Sequence, residues 1–363
     1  MSAIENPIIN IDLLQVLLES RRPISIDWIA QQLGWPHTQI QPELDRIREA
    51  GCKIEQHPYG EIQLIQTGLG AWKDYLQARV GQLRYGPADD HSTPRLIQVY
   101  QSTHSTQDVA RALLDDKGNS ADGTLVIADH QTKGRGRLGR LWTAPAGTCI
   151  LFSMVRLAQP SENHQSVNWL SAVSAVAVAI AIENAVWYYQ DPMGKELNES
   201  LNGPPDNQQA WVRIKWPNDL IVGSGKLCGI LVESVQTASG RRGAIIGVGA
   251  NVSWDAENLS PRDKVIADHA TSLAMQGKRI DRLPLAAAII RQMDRCLGDM
   301  GPAELLEHWR LRSTLLGETT RLRSDGQDIC GQVIDMDPHD GLIVRTTGGQ
   351  VVHLRAETTT VIQ

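Results

Sequence analysis

Apolar positions near the start of the chain recur at helical spacing and then switch to alternation. Ile11, Leu14, Leu17 and Leu18 share one helical face. Ser25 precedes a second helical run at 27–33 that Gly34 closes, a cap at each end. Pro36 opens a third, with Ile40, Leu44 and Ile47 on one face and Ala50-Gly51 at its end. Lys53-Ile54-Glu55 and residues 61–65 then alternate, joined through Pro58-Tyr59-Gly60 as a hairpin or wing. Three helices and a wing give a winged helix-turn-helix pattern.

Residues 71–80 read as a connecting helix, and residues 86–94, rich in Pro, Asp and Ser, as a linker. A second unit starts near Arg95 with a strand at 96–100, followed by Ser105-Thr106-Gln107-Asp108 and a helix from Val109. Hydroxyls at a helix start cap it, and here they are also placed to bond a small polar ligand. Apolar strands follow at 125–128 and 148–157, then an Ala/Val-rich run at 169–187. That run carries Ser171, Ser174 and Glu183 and reads as a buried core helix, not a membrane span. Residues 188–209 are a polar excursion. Short strands at 212–215, 220–222, 226–233 and 244–248, with a Gly223-Ser224-Gly225 turn, predict a mixed sheet with helices on one face. Helices are expected at 283–299 and 303–310. From Thr319 short alternating strands with glycines at the turns predict a small barrel-like β unit.

Composition narrows the setting. With 363 residues, 42% hydrophobic and 21% charged, the chain has the make-up of an ordinary globular protein of two or three domains. The net charge of −6 gives no global attraction to nucleic acid or anionic lipid, so any such site is local. Cys52, Cys149, Cys228, Cys296 and Cys330 form no Cys-x-x-Cys pair, which argues against a disulfide framework or zinc site and for a reducing, cytoplasmic setting. No basic segment followed by an apolar one marks a secretion signal. Within residues 1–65, five basic side chains face nine acidic ones, a net of −4, so a protein-interaction role competes with DNA binding there. Arg46, Arg48 and Lys53 are the candidates for DNA contact, since they flank the third helix and the wing.

The stretch with the most chemistry is Gln131-Thr132-Lys133-Gly134-Arg135-Gly136-Arg137-Leu138-Gly139-Arg140. Glycines let the backbone N–H groups press against a ligand, and the guanidinium forks suit phosphate oxygens. A surface turn with solvated arginines is the plain alternative. Gly134, Gly136 and Gly139 match the dinucleotide fingerprint in spacing, but Leu141-Trp142-Thr143-Ala144-Pro145 opens no helix and no acid sits about 20 residues on. No kinase catalytic-loop signature follows either. Lys215 and Lys226 bracket a tight hairpin, and Asn218-Asp219 after Pro217 is either a turn or a place to orient phosphates or magnesium.

Together these pieces resemble the biotin-protein ligases. Ser105-Thr106, the arginine stretch 131–140, Lys215-Trp216-Pro217-Asn218-Asp219, Gly225-Lys226-Leu227-Cys228-Gly229 through Glu233, and Gly247-Val248-Gly249-Ala250-Asn251-Val252 stand in that family's order across about residues 95–360. The winged-helix front extends the resemblance to the bifunctional ligases that also repress the biotin operon.

The resemblance implies an α+β chain: a winged helix-turn-helix domain at 1–70, a linker at 71–94, a class II synthetase-like mixed α/β ligase domain at 95–314 and a small SH3-like β-barrel at 315–363. It also implies that biotin and Mg-ATP form biotinyl-5′-AMP, and that a lysine of a biotin carboxyl carrier protein then takes the biotinyl group. By the family's pattern Ser105, Thr106, Gln107 and Gln131 hold the ring end of biotin, with Gln107 standing where the family commonly has Asn. Arg135, Gly136 and Arg137 close over carboxylate and phosphate, and Lys226 sits at the reacting carboxylate. Trp142 packs near adenine and Asn251 contacts its edge, while Lys215, Asn218 and Asp219 belong to the phosphate and metal side. Lys226, Arg137 and Lys215 are the expected catalytic groups. Magnesium is expected with ATP near Asp219, without dedicated protein ligands. Operator DNA and a ligand-dependent homodimer are implied partners; a membrane is not. A lipoate or octanoate ligase, or a biotin sensor that has lost catalysis, are the competing readings.

Overall fold

A computed structural model of the chain describes residues 8–20, 22–83, 93–158, 166–190, 210–259, 264–337, 339–356 and 358–362. Its N-terminal helices are Ile11–Glu19, Ile26–Leu33 and His37–Glu49. Asn10 and Ser25 cap the first two through bonds from Leu13 N (3.0 Å) and Trp28 N (3.1 Å). Gly34 ends the second in the left-handed region, φ 65°, which disfavours other residues. Leu13, Leu14, Leu17, Ile29, Ile40, Leu44 and Ile47 form the core between them. Lys53–Gln56 and Glu61–Gln66 pair antiparallel, and Ile24–Ser25 adds a third short strand.

Within the expected linker, 71–94, the connecting helix expected at 71–80 forms as Trp72–Val80, and it is packed. Trp72–Val80 buries Trp72, Tyr75, Leu76 and Val80 against the helix Arg282–Asp299 and the strand Ile97–Thr103. Gln82–Leu83 then pairs with Thr93–Pro94; residues 84–92, the rest of the expected linker, lie outside the described residues. Four apolar side chains on one short helix are removed from water by this docking, which is what a free connector lacks.

The central sheet has seven strands. Their order is Arg213–Lys215, Asp219–Val222, Gly225–Gln236, Arg242–Asn251, Cys149–Leu157, Leu125–Gln131, Ile97–Thr103. Only the last pair is parallel, which makes the class mixed α/β. Helices on one face were expected; they lie on both. Leu125, Ile127, Phe152 and Met154 pack with the helices Val167–Gln190 and Arg282–Asp299. Val126, Ala128, Val155, Leu157 and Ile245 pack with Ala110 and Leu114 of the helix Thr106–Lys117. Cys149–Leu157 is buried at every position for that reason, and a strand covered on both faces shows no alternation.

The Ala/Val-rich helix runs Val167–Gln190, and residues 191–209 of the expected excursion lie outside the described residues. It is long and apolar enough to cross a membrane, yet 94% of its most apolar window is buried inside the protein. Past Pro302–Arg312, five antiparallel strands form the C-terminal sheet in the order Val351–Leu354, Gly341–Thr346, Gln327–Asp337, Thr319–Ser324, Thr359–Ile362. Leu322, Val333, Met336, Leu342, Val344 and Leu354 fill its core.

Candidate active site

One cavity of about 430 Å3 opens where the arginine loop, the central strands and the last C-terminal strand meet. It is lined by Ser105, Thr106, Gln107, Gln131, Arg135, Gly136, Arg137, Trp142, Lys215, Asn218, Asp219 and Lys226. Among the ligand contacts expected from the sequence, Asn251 alone is missing from its walls.

At one end the groups are neutral and polar. Gln131 Oε1 accepts from the Thr106 backbone N–H (2.7 Å) and from its hydroxyl (3.2 Å), while Thr106 Oγ1 and Ser153 Oγ lie 2.8 Å apart. Ser105 stands at the N-cap of Thr106–Lys117 but makes no side-chain cap bond. Its Oγ is fully buried and has no partner among the described residues. The Gln107 amide donates through Nε2 to Glu233 (3.2 Å) and to the Ile245 carbonyl (3.4 Å), leaving Oε1 buried without a partner there. Two buried polar atoms left open in one wall are costly unless something completes them.

The other end is cationic. Lys226 Nζ lies 2.7 Å from Asp219 Oδ1 and 5.3 Å from the Trp142 ring centroid. Arg137 donates to the Ala356 carbonyl (2.6 Å) and to Asn218 Oδ1 (3.4 Å), and Asn218 Nδ2 donates to the Ile230 carbonyl. Arg135 belongs instead to the Gln107 side: Glu233 Oε2, which accepts from Gln107, also grips Arg135 (2.8 Å), and Asp108 adds a second contact (3.1 Å). Trp142 lies flat on strand glycines: a Cβ at Gly229 or Gly249 would come within 2.8 or 2.7 Å of its indole. Those glycines admit the ring, and only their lack of a side chain lets it lie there.

Asn251, expected at the edge of adenine, lies outside the cavity walls. Its Nδ2 donates to the Lys226 carbonyl (3.1 Å) and its Oδ1 accepts from Cys149 Sγ (3.4 Å). The amide nitrogen thus holds the backbone of Lys226, and the amide oxygen holds Cys149. Burial pushes the Cys149 thiol up to about 11 and raises that of Cys228 also, so neither supplies a thiolate nucleophile near neutral pH.

Sequence reasoning missed Thr359, Thr360 and Val361, which reach the cavity from the C-terminal strand, and the carboxylates Asp108 and Glu233 that hold Arg135. Glu233 lies 98 residues from Arg135, and no local pattern announces the pairing. On the N-terminal unit, Arg46 and Arg48 pair with Glu43 (2.6 Å) and Asp45 (2.7 Å) of their own helix, while Lys53 is exposed on the wing.

Comparison with known proteins gives a consistent picture. Residues 99–251 match the biotin/lipoate A/B protein ligase family. A biotin–[acetyl-CoA-carboxylase] ligase of Mycobacterium tuberculosis is 32% identical over 275 residues, 72% of this chain and 90% of that one. The bifunctional ligase/repressor BirA of Bacillus spizizenii is 28% identical over 333 residues, 90% of each chain. Among solved structures, a biotin protein ligase from Aquifex aeolicus in complex with biotin and ATP superposes with a TM-score of 0.56 at 24% identity, covering 74% of this chain and 99% of that one.

Proposed function

The chain belongs to the biotin-protein ligase family, and from that premise we propose that its cavity joins biotin to ATP and passes the biotinyl group to a lysine of a biotin carboxyl carrier protein. A biotin carboxylate oxygen attacks the α-phosphorus and pyrophosphate leaves, giving biotinyl-5′-AMP. The carrier lysine then attacks the acyl carbon and AMP leaves. The observation that carries this reading is the polarity of the cavity. Buried Ser105 Oγ and Gln107 Oε1 stand open at one end, and Lys226, Lys215 and Arg137 line the other. A neutral polar ring with an acid tail fits the first end, and the phosphates that meet the tail fit the second. Cations and fixed N–H groups there offset the charge that builds up as two anions react. Trp142, on its glycine floor, offers a stacking face for adenine.

Magnesium fits as an ion that arrives with the nucleotide. Among the described residues no group of three or more His, Cys, Asp or Glu side chains could hold a metal, and the carboxylate in the cavity wall, Asp219, is already paired with Lys226. Such a site leaves the phosphates as the ion's main ligands, and the ion supplies neutralisation of their charge. Lipoate or octanoate as the acid is not favoured, since the Mycobacterium tuberculosis relative is a biotin–[acetyl-CoA-carboxylase] ligase. ATP–pyrophosphate exchange measured with biotin, lipoate and octanoate is the test. Exchange with biotin alone is expected; exchange driven equally by octanoate overturns the assignment.

The finer architecture belongs to the same proposal: a winged helix-turn-helix at the front, an SH3-like barrel at the end, and a cytoplasmic protein that dimerises and binds operator DNA when biotinyl-AMP is bound. An alignment spanning 90% of the chain leaves too few residues aside to omit a front unit of 70, and the relative it joins is a bifunctional ligase/repressor. With Arg46 and Arg48 tied to acids on their own helix, each protomer has few cations to offer phosphate. The logarithm of affinity should then fall only shallowly with that of salt, by about 0.9 per phosphate neutralised. A gel shift over a salt series is expected to show specific binding only with biotin plus ATP. Tight ligand-independent binding with a steep salt slope would refute this.

A further inference from the structure

We infer that Arg282 is a positioning residue for biotin activation, pinning both stems of the arginine loop and carrying the docking of the N-terminal unit to them; this rests on the ligase reading above. The loop leaves the sheet after Leu125–Gln131 and returns at Cys149–Leu157. How it can close is therefore set at residues 129–131 and 147–149. Arg282 Nη1 reaches both stems, donating to Asp129 Oδ1 (2.9 Å) and to the Cys149 carbonyl (3.1 Å). The stems are also joined directly, by Gly147 N–H donating to the Asp129 carbonyl at 3.3 Å. Two residues beyond Asp129, Gln131 holds Thr106 at the polar end of the cavity.

The other side of Arg282 faces the connecting helix that follows the N-terminal unit. Its guanidinium lies 5.4 Å from the ring centroid of Trp72, which is buried in the helix Trp72–Val80. The preceding residue, Asp281, accepts from Thr67 through both the backbone N–H (2.9 Å) and the hydroxyl (2.7 Å). Asp281 also caps the helix that Arg282 begins, through Leu283 N at 2.8 Å. Thr67 and Trp72 thus fix the helix start, the helix start fixes Arg282, and Arg282 fixes the loop.

A buried ion pair is weak evidence of added stability, because an apolar pair in its place is often as stable. What Arg282 adds is geometry. Its side chain and that of Asp129 are each 9% exposed, and a planar guanidinium can lie on Trp72 while donating in its plane to two acceptors. Lysine keeps the charge and loses that arrangement.

The test compares Arg282→Lys and Thr67→Val with wild type in the full-length protein. It reads the thermal midpoint, kcat and biotin KM in pyrophosphate exchange, and labelling of a bystander protein by released biotinyl-AMP. Folded Arg282→Lys is expected to lower kcat about tenfold, as small misplacements at reacting groups do, and to raise bystander labelling several-fold with less change in KM. Thr67→Val, outside the cavity wall, should move the same two readouts in the same direction by less. Wild-type kcat and labelling in folded Arg282→Lys overturns the inference, as does a loss of activity that only follows the folded fraction. If Arg282→Lys does not fold, Asp129→Asn is judged by the same two outcomes. Absence of biotin-dependent exchange in the wild type strikes the ligase reading instead.

Discussion

Lys226→Ala is expected to fold normally and to lose biotin-dependent pyrophosphate exchange by about 10²–10³, the usual loss when one electrostatic stabiliser of a transition state is removed, roughly 2.7–4 kcal/mol. The fold should survive because the backbone at this position is held without the side chain. Lys226 N–H donates to the His269 carbonyl (3.0 Å), and the Lys226 carbonyl accepts from Thr271 N (2.9 Å) and Asn251 Nδ2 (3.1 Å). The side chain is about one-third exposed and lines the cavity, so a charged ligand can reach it. Asp219 pairs with it at 2.7 Å, and an incoming carboxylate or phosphate competes with that contact. The effect should fall on kcat for exchange, because carboxylate and α-phosphate repel one another most where they meet. Near wild-type exchange in a folded Lys226→Ala protein would remove this residue from the reaction.

What the sequence made legible is what depends on neighbours along the chain. Ser25 and Gly34 bracket the second helix as their local chemistry requires, and Thr319 does begin the C-terminal strands. Residues of the ordered motifs line one cavity because two neighbouring strands carry Lys226, Gly229, Gly247 and Gly249 past it, while Asn218 lies in a turn and Thr106 at a helix start. Choices made across the sheet were not legible. Asn251 was expected as a ligand contact, and the structure adds that it spans from Cys149 to Lys226, residues on the two strands that flank its own. Arg135 looked free for phosphate, yet two carboxylates hold it, one on the helix Thr106–Lys117 and one on Gly225–Gln236. These partners follow from strand order, which hydrophobic periodicity does not encode. The second helical face of the sheet did leave a local trace, since Cys149–Leu157 is almost continuously apolar and a strand covered on one face alone would alternate.

Glu183→Ala is expected to be the most destabilising of the changes considered, by about 3–5 kcal/mol, the usual result of removing one partner of a buried ion pair. Glu183 lies in the apolar helix Val167–Gln190, whose surroundings offer no water to replace it. One carboxylate oxygen accepts from Arg312 Nη2 at 2.5 Å and the other from Val212 N–H at 3.0 Å. The side chains are 5% and 1% exposed. Removing the carboxylate leaves a buried guanidinium, and a buried backbone N–H, without it. The neighbouring His308 does not substitute: it is neutral or cationic, and burial with the adjacent Arg312 charge lowers its pKa from the ordinary value. The consequence should spread beyond the helix. Arg213 donates to the carbonyls of Arg312 (3.0 Å) and Ser313 (2.6 Å), so the edge strand of the central sheet and the approach to the C-terminal sheet meet at this pair. Urea unfolding should show the midpoint fall for Glu183→Ala, and Glu183→Leu combined with Arg312→Met should recover most of it, because an apolar pair leaves no charge unpaired. A double variant no more stable than Glu183→Ala alone would mean that shape at this junction, and not the buried charge, sets the loss.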